Sequence, residues 1–269
     1  FFKSHFFSPR YFKQPTIERT CCCKKDRDWN SISILLFLHS AICSPKGNLC
    51  VIEFIDIHKS FGTKKVLQGV SIGVDAGKVL YIIGASGAGK SVLVKHLVGL
   101  IRPDAGQVIL DGEDITHLTE REFYRIRRKC AMVFQHSTLF DSMSLLDNVA
   151  LPYRKHFDMT LGEARRAAEE KLELVQMAHA KERYPADVGD GLRKRVAIAR
   201  ALIHQPDVIL ADEPTGNLDP QTAQSILQLL LVLRTEVTGA LIMVTHDHNL
   251  ARTCSRRMQL VNGVLESWA

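Results

Sequence analysis

The sequence predicts an α/β fold built on a mainly parallel core sheet, and three observations carry that prediction. Short, almost wholly apolar runs recur at Val79–Ile83, Val208–Ala211 and Leu241–Val244, the pattern of strands buried on both faces. Segments of helical spacing alternate with them, Val92–Val98 after the first run and Thr222–Arg234 between the other two. The first run also leads into a glycine-rich loop that opens a helix, the strand–turn–helix unit of parallel α/β proteins.

Taken in order, Val51–Ile57 and Val70–Val74 read as strands ahead of Val79–Ile83. The loop Gly84-Ala85-Ser86-Gly87-Ala88-Gly89-Lys90-Ser91 then fits G-x-x-x-x-G-K-[S/T]. Its glycines let backbone N–H groups turn inward, and the helix beginning near Val92 adds partial positive charge, so the loop is a cradle for phosphates. Lys90 reaches the β- and γ-phosphates of a nucleoside triphosphate, and the Ser91 hydroxyl is a ligand for Mg²⁺. Gln107–Leu110 is a further strand, closed by an Asp111-Gly112 turn. Thr119 with Glu122 and Thr160 with Glu163 are capping-box starts, the second helix running to about Val175. Ala131–Phe134 is a buried-type strand that ends at Gln135, and Asn262-Gly263 joins two short strands as a hairpin. Residues of about 136–190 break the alternation and read as an inserted helical subdomain, while the early strands supply an antiparallel part.

Composition narrows the setting. Of the 269 residues, 35 are Lys or Arg and 29 Asp or Glu. The excess sits in residues 1–50, and residues 51–269 are nearly balanced, so nucleic acid is not expected as a partner. The seven cysteines include the run Cys21-Cys22-Cys23, which suits neither metal-ligand spacing nor a disulfide framework, and a reducing compartment follows. Residues 1–50 mix Phe, Tyr, Lys and Arg without periodicity, and Ile32–Cys43 is too short for a span of about 20 residues. The first methionine is Met132. The expectation is that 1–50 is non-native or disordered sequence upstream of a start near Val51; the alternative is a targeting extension or basic membrane arm.

Two strand ends complete the chemistry. Val208–Ala211 ends in Asp212 and Glu213: the first would hold Mg²⁺ through water, and the second would take the proton of an attacking water. His246 follows Leu241–Val244 at the carboxyl end of another strand, where ligands gather in open α/β sheets. A lone histidine there is as often structural.

These motifs, in this order, resemble the ATPase subunits of ABC transporters. The resemblance covers essentially all of 51–269: Gly84–Ser91 as Walker A, Gln135 after a strand, Ile209–Glu213 as Walker B, Gly216-Asn217-Leu218-Asp219, and His246. It implies that Gln135 touches Mg²⁺ and senses a membrane partner, that Asp219 crosses a dimer interface, and that His246 acts on the γ-phosphate. Phe61 stands where the family stacks an aromatic on adenine; a core phenylalanine is the alternative. The implied partners are a separate integral-membrane permease and a second ATPase subunit, in a homodimer, placing the chain at the cytoplasmic face of the inner membrane.

The family's LSGGQ-like stretch matches Val188-Gly189-Asp190-Gly191-Leu192 only in part. Its serine is Gly189 and its first glycine is Asp190. Asp190 reads as an N-cap for the helix that follows, but its carboxylate also stands where a phosphate of the second subunit's nucleotide belongs. Like charges about 5 Å apart repel by roughly 3 kcal/mol at an effective dielectric of about 20. Slow or regulated turnover is therefore expected unless Arg193 or Lys194 neutralises the charge. Leu139, Phe140 and Met143, in the stretch after Gln135, are expected to dock a permease helix or to be core of the subdomain. That stretch, with Ser91–Leu100, resembles the Mla/Mce-type lipid transport ATPases, while Leu210–Asp219 is closer to the lipoprotein-releasing and macrolide-export group. An FtsE-like signalling role in cell division fits the same motifs.

Overall fold

The computed structural model describes residues 50–236, 239–247 and 256–268. The expectations for 1–50 thus fall outside the described residues, Cys50 apart. The chain runs through β1 (Cys50–Phe61), β2 (Lys64–Asp75), β3 (Val79–Ile83), α1 (Lys90–Leu97), β4 (Ala105–Leu110) and β5 (Glu113–Asp114). There follow α2 (Glu120–Lys129), β6 (Cys130–Val133), α3 (Leu145–His156), α4 (Leu161–Leu174) and α5 (Asp190–Ala201). The last group is β7 (Val208–Asp212), α6 (Pro220–Glu236), β8 (Ala240–Thr245), β9 (Arg257–Val261) and β10 (Val264–Ser267).

Six strands form the core sheet in the order β10-β9-β3-β8-β7-β6, parallel except for the β9–β10 hairpin. The apolar runs are explained by its two covered faces. Val79, Tyr81 and Ile83 of β3 face one cluster with α3, α4, α5 and α6; Leu80 and Ile82 face a second with α1, α2 and the other sheet. β7 and β8 alternate the same way, so no position on these strands is left for a polar side chain until their carboxyl ends. Each fully buried branched side chain contributes about 1.5–3 kcal/mol.

The second sheet is antiparallel, in the order β2-β1-β4-β5. β1 and β2 are longer than the apolar pattern predicts, because His58, Lys59 and Ser60 continue the ribbon with partly solvated side chains. Register shifts near Asp56, which has a φ of 50°, interrupt the alternation that reads as strand. Both capping boxes form: Thr119 N–H donates to Glu122 Oε2 at 2.7 Å and Thr160 N–H to Glu163 Oε2 at 2.9 Å. Asn262 and Gly263, with φ of 49° and 79°, make the expected hairpin turn.

Candidate functional site

The carboxyl ends of β3, β6, β7 and β8 open onto one cleft of about 520 Å³. Phe61, Ser86, Gly87, Gly89, Lys90, Ser91, Val92, Gln135, Glu213 and His246 line it, together with Lys64 and Val66. Gly84, Ala85 and Ala88 complete the loop from β3 to α1. Gly89 caps α1 with a φ of 107°, and a Cβ there would lie 2.8 Å from Val66 Cγ1. Gly84 is pressed against backbone, since its Cβ would fall 2.8 Å from Leu260 O. Only glycine fits either position.

Lys90 is 4% exposed, and its ammonium donates to Gly84 O at 2.8 Å and Ala85 O at 3.0 Å. It also lies 3.2 Å from Glu213 Oε1. The Ser91 hydroxyl donates to Asp212 Oδ1 at 2.6 Å, so the two expected Mg²⁺ residues meet although 121 positions separate them. A hydroxyl and a carboxylate are hard oxygen donors, and Mg²⁺ takes one or two such protein groups with phosphates and waters. Among the described residues no cluster of three or more His, Cys, Asp or Glu forms a self-contained metal cage. The donor set therefore fits an ion bound together with a nucleotide.

Glu213 follows β7 in the left-handed region, with a φ of 47° that is costly for a side-chain-bearing residue. Its N–H is tied to Val244 O at 2.9 Å. The carboxylate thereby faces both Lys90 and His246, whose Nδ1 lies 2.8 Å from Glu213 Oε2. His246 thus lines the same cleft as Glu213 and Lys90. Phe61 is half exposed at the end of β1, with Lys59 Nζ 5.5 Å from its ring centroid, and so is not a core residue.

Gln135 lines the cleft and also a second, smaller one of about 280 Å³ on its other side. Asp190, Arg193 and Asn217 border that second cleft. Buried Lys194 donates to Phe134 O at 2.9 Å and Gln135 O at 2.5 Å. Burial pulls its ammonium down to about 8, with Asp190 and Asp212 opposing the shift.

The 188–192 stretch is not in the nucleotide cleft. Val188 is buried and Leu192 packs on the helical core. The helix cap is Gly189, not Asp190 as the sequence suggests; Asp190 is already the first helical residue, and no side chain caps the turn. The chain enters with extended φ and ψ at Gly189, so the capping geometry falls one residue earlier. Asp190 instead accepts from Arg193 Nη2 at 2.6 Å. Gly191 is confined, since its Cβ would lie 2.4 Å from Thr222 Cγ2. Asp219 caps α6 within its own chain, accepting from Thr222 N–H at 3.0 Å; the Thr222 side chain first and then its N–H hold the carboxyl below the usual range.

Of the three apolar residues after Gln135, Phe140 is exposed, whereas Leu139 and Met143 are half buried and Leu139 packs on the helical core. Fully buried Asn148 shapes this loop, accepting from Phe140 N–H at 2.7 Å and donating to Phe140 O at 3.0 Å. Sequence reasoning missed Asn148, Lys64 and Arg200; an uncharged amide inside an apolar helix such as α3 is the signal that would have found the first.

A family model described as ABC transporter matches residues 67–216. The chain is 38% identical over 210 residues to a probable ribonucleotide transport ATP-binding protein, mkl, of Mycobacterium leprae, covering 78% of this chain and 60% of that protein. It is 39% identical over 212 residues to a methionine import ATP-binding protein, MetN, of Rhizobium johnstonii, covering 79% and 58%. The chain thus spans less than two thirds of the length of these curated relatives. Its fold is similar to the dimeric ATP-binding cassette MJ0796 bound to ADP and Pi, with a TM-score of 0.73 and 33% identity over 80% of this chain and 98% of that one. It is also similar to cbiO1 of Clostridium perfringens, part of the ABC transporter complex cbiONQ, with a TM-score of 0.74 and 25% identity over 81% and 87%.

Proposed function

This chain belongs to the ABC transporter family, and on that premise we propose that it binds and hydrolyses ATP with Mg²⁺ to drive a separate membrane permease. One observation carries the reading: Lys90, Ser91, Gln135, Asp212, Glu213 and His246, from four separate segments, converge on the phosphate cradle. In this reading the amides of Gly84–Ser91 and the N-terminus of α1 hold the phosphates, and Val92 lines the cleft from the first turn of that helix. Lys90 exchanges its carbonyl and Glu213 contacts for the β- and γ-phosphates. Ser91 and Asp212, with Gln135, hold the metal, which supplies charge neutralisation of the phosphoryl group when bound. Glu213 takes the proton of the attacking water, and His246 orients Glu213. Phe61 offers its exposed ring to the adenine.

Two copies complete the site in this proposal, Val188–Leu192 and Asp219 of one facing the cradle of the other, as a homodimer at the cytoplasmic face of the membrane. No helix among the described residues is long and apolar enough to cross a membrane, which agrees with a permease on another chain. Exposed Phe140 is the docking residue. The altered turn at Gly189 and Asp190 supports slow turnover, moderated by the Arg193 pair, and it is the observation that favours an FtsE-like signalling role as the second reading. For cargo, the resemblance at 134–152 points to a lipid, whereas the names of the relatives carry ribonucleotide transport and methionine import.

The test is ATP hydrolysis by the chain with the permease that copurifies with it, with Lys90→Ala as the inactive control. Stimulation is then compared among phospholipid vesicles, methionine and ribonucleotides. Absence of Lys90-dependent hydrolysis in every condition refutes the ATPase reading, and stimulation by methionine or ribonucleotides alone refutes the lipid one.

A further inference from the structure

Between the end of β6 and the start of α3, residues 134–144 have no helix or strand to satisfy their backbone. Buried carbonyls need donors from elsewhere. In the first half of this stretch the donors are cations of one helix. Lys194 of α5 donates to Phe134 O at 2.9 Å and Gln135 O at 2.5 Å. Arg200, further along α5, donates to Ser137 O at 3.3 Å, Thr138 O at 3.0 Å and Thr138 Oγ1 at 3.1 Å. Four backbone carbonyls within five residues are thus held by two side chains.

We propose that Lys194 is a positioning residue for Gln135: by holding the carbonyls of Phe134 and Gln135 it sets where the Gln135 side chain enters the nucleotide cleft, and it ties that placement to α5. The inference rests on the reading that Gln135 works at the metal. Its physical basis is the cost of the arrangement. Lys194 is 2% exposed and its ammonium is bonded to neutral carbonyls, with no carboxylate in ion-pair contact among the described residues. A methionine of similar length would remove the desolvation penalty of a buried cation. What it would lose is the pair of charge-assisted bonds that fix the two successive peptide groups on either side of the Gln135 Cα. Gly216 closes the other side, where a Cβ would come within 3.3 Å of Gln135 Nε2. Because α5 also begins at the Gly189–Asp190 turn, displacement of that turn is transmitted to Gln135 through Lys194 without passing through the sheet.

The experiment compares wild type, Lys194→Met, Lys194→Arg, Gln135→Ala and the Lys194→Met/Gln135→Ala double variant, as full chains with the copurifying permease. It reads kcat and KM for ATP, thermal midpoints, and hydrogen exchange of the 134–138 amides. The expected result for Lys194→Met is a kcat lower by about tenfold to a hundredfold, as for loss of outer-shell support elsewhere. KM stays within about twofold, exchange at 135–138 is faster, and Lys194→Arg restores most of kcat. The double variant falls no lower than Gln135→Ala alone, because both changes remove one function. Unchanged exchange in Lys194→Met, or a double variant whose losses multiply, overturns the proposal. If Gln135→Ala itself turns over at the wild-type rate, the reading of Gln135 at the metal is what fails. The exchange of 134–138 in Lys194→Met then still decides whether Lys194 holds the segment.

Discussion

The cradle after β3 and the turn before α5 are both glycine-bearing entries to a helix, yet they are held in opposite ways. At the cradle two of the three glycines have a neighbour against them, Val66 at Gly89 and Leu260 O at Gly84, while Gly87 meets nothing within 4 Å. The charged groups there are buried and cross-linked, Lys90 to Glu213 and Ser91 to Asp212. At the turn, a side chain at Gly189 meets nothing within 4 Å, and Asp190, 61% exposed, is tied among the described residues to Arg193, three residues along the same helix. Shape and charge at the cradle are set by distant strands; at the turn only Gly191 is. The lesson is that packing leaves slack at Gly189 and Asp190, whereas Val188 and Leu192, which also differ from the LSGGQ-like pattern, are packed against the helical core.

The largest test of that contrast lies in the cradle. Glu213→Gln keeps the shape but removes the base, and ATPase turnover is expected to fall by about 10²–10⁴-fold while ATP still binds. Steady-state hydrolysis with a fluorescent-nucleotide titration measures both, and turnover within tenfold of wild type would take Glu213 out of the base role. Backbone substitutions come next. Gly89→Ala is expected to cost about 2–3 kcal/mol, from its positive φ and the Val66 contact, and Gly191→Ala about 1–3 kcal/mol against Thr222. Gly189→Ala should stay within about 0.5 kcal/mol. Urea midpoints rank the three, and a Gly189 variant as damaged as the Gly89 one breaks the comparison.

A smaller effect is expected from charge. Asp190 is solvated and already paired, so the full repulsion is screened toward about 1 kcal/mol, roughly fivefold in rate. Asp190→Gly should raise turnover of the assembled ATPase by about that factor, and Arg193→Ala should lower it. If neither substitution moves kcat, the turn has no electrostatic role in turnover.

The smallest effect is pH-dependent. His96 of α1 is 2% exposed, and burial pushes its imidazole below 6.5, with the Val92 carbonyl opposing. The unfolded chain therefore binds this proton more readily, so the stability of the cradle side is full above 6.5 and declines as pH falls below it. α5 carries no histidine. Hydrogen exchange at pH 7.5 and pH 5.5 should show acid loosening in 90–97 before 190–201, and His96→Gln should abolish the difference.

How far the sequence reveals this molecule depends on the range of the interactions. β3, β7 and β8 are legible because both faces are buried and the runs have no polar interruption. Both capping boxes are legible because their partners are three residues apart. The start of α5 misleads by one position: Asp190 is a good cap by residue type, and only the extended backbone at Gly189 decides otherwise. The full length of β1 and β2 is hidden by the register shifts around Asp56. The site residues could be named from their motifs, but the Lys90–Glu213 pair, the Asn148 loop contacts and the Lys194 carbonyl bonds join segments that no local pattern relates.

The C-terminal hairpin shows what such long-range joins imply for how the chain is made. Gln68 Nε2 donates to Asn262 O across 194 residues, Gln68 N–H donates to Gly263 O, and β9 pairs with β3 as an inner strand of the core sheet. During synthesis β3 and β2 leave the ribosome with these positions unoccupied, and nothing made in between can fill them. The exposed edge of β3 must therefore be kept from mispairing until β9 has been made, so this segment belongs with slow, high-contact-order folders that depend on protection while they wait.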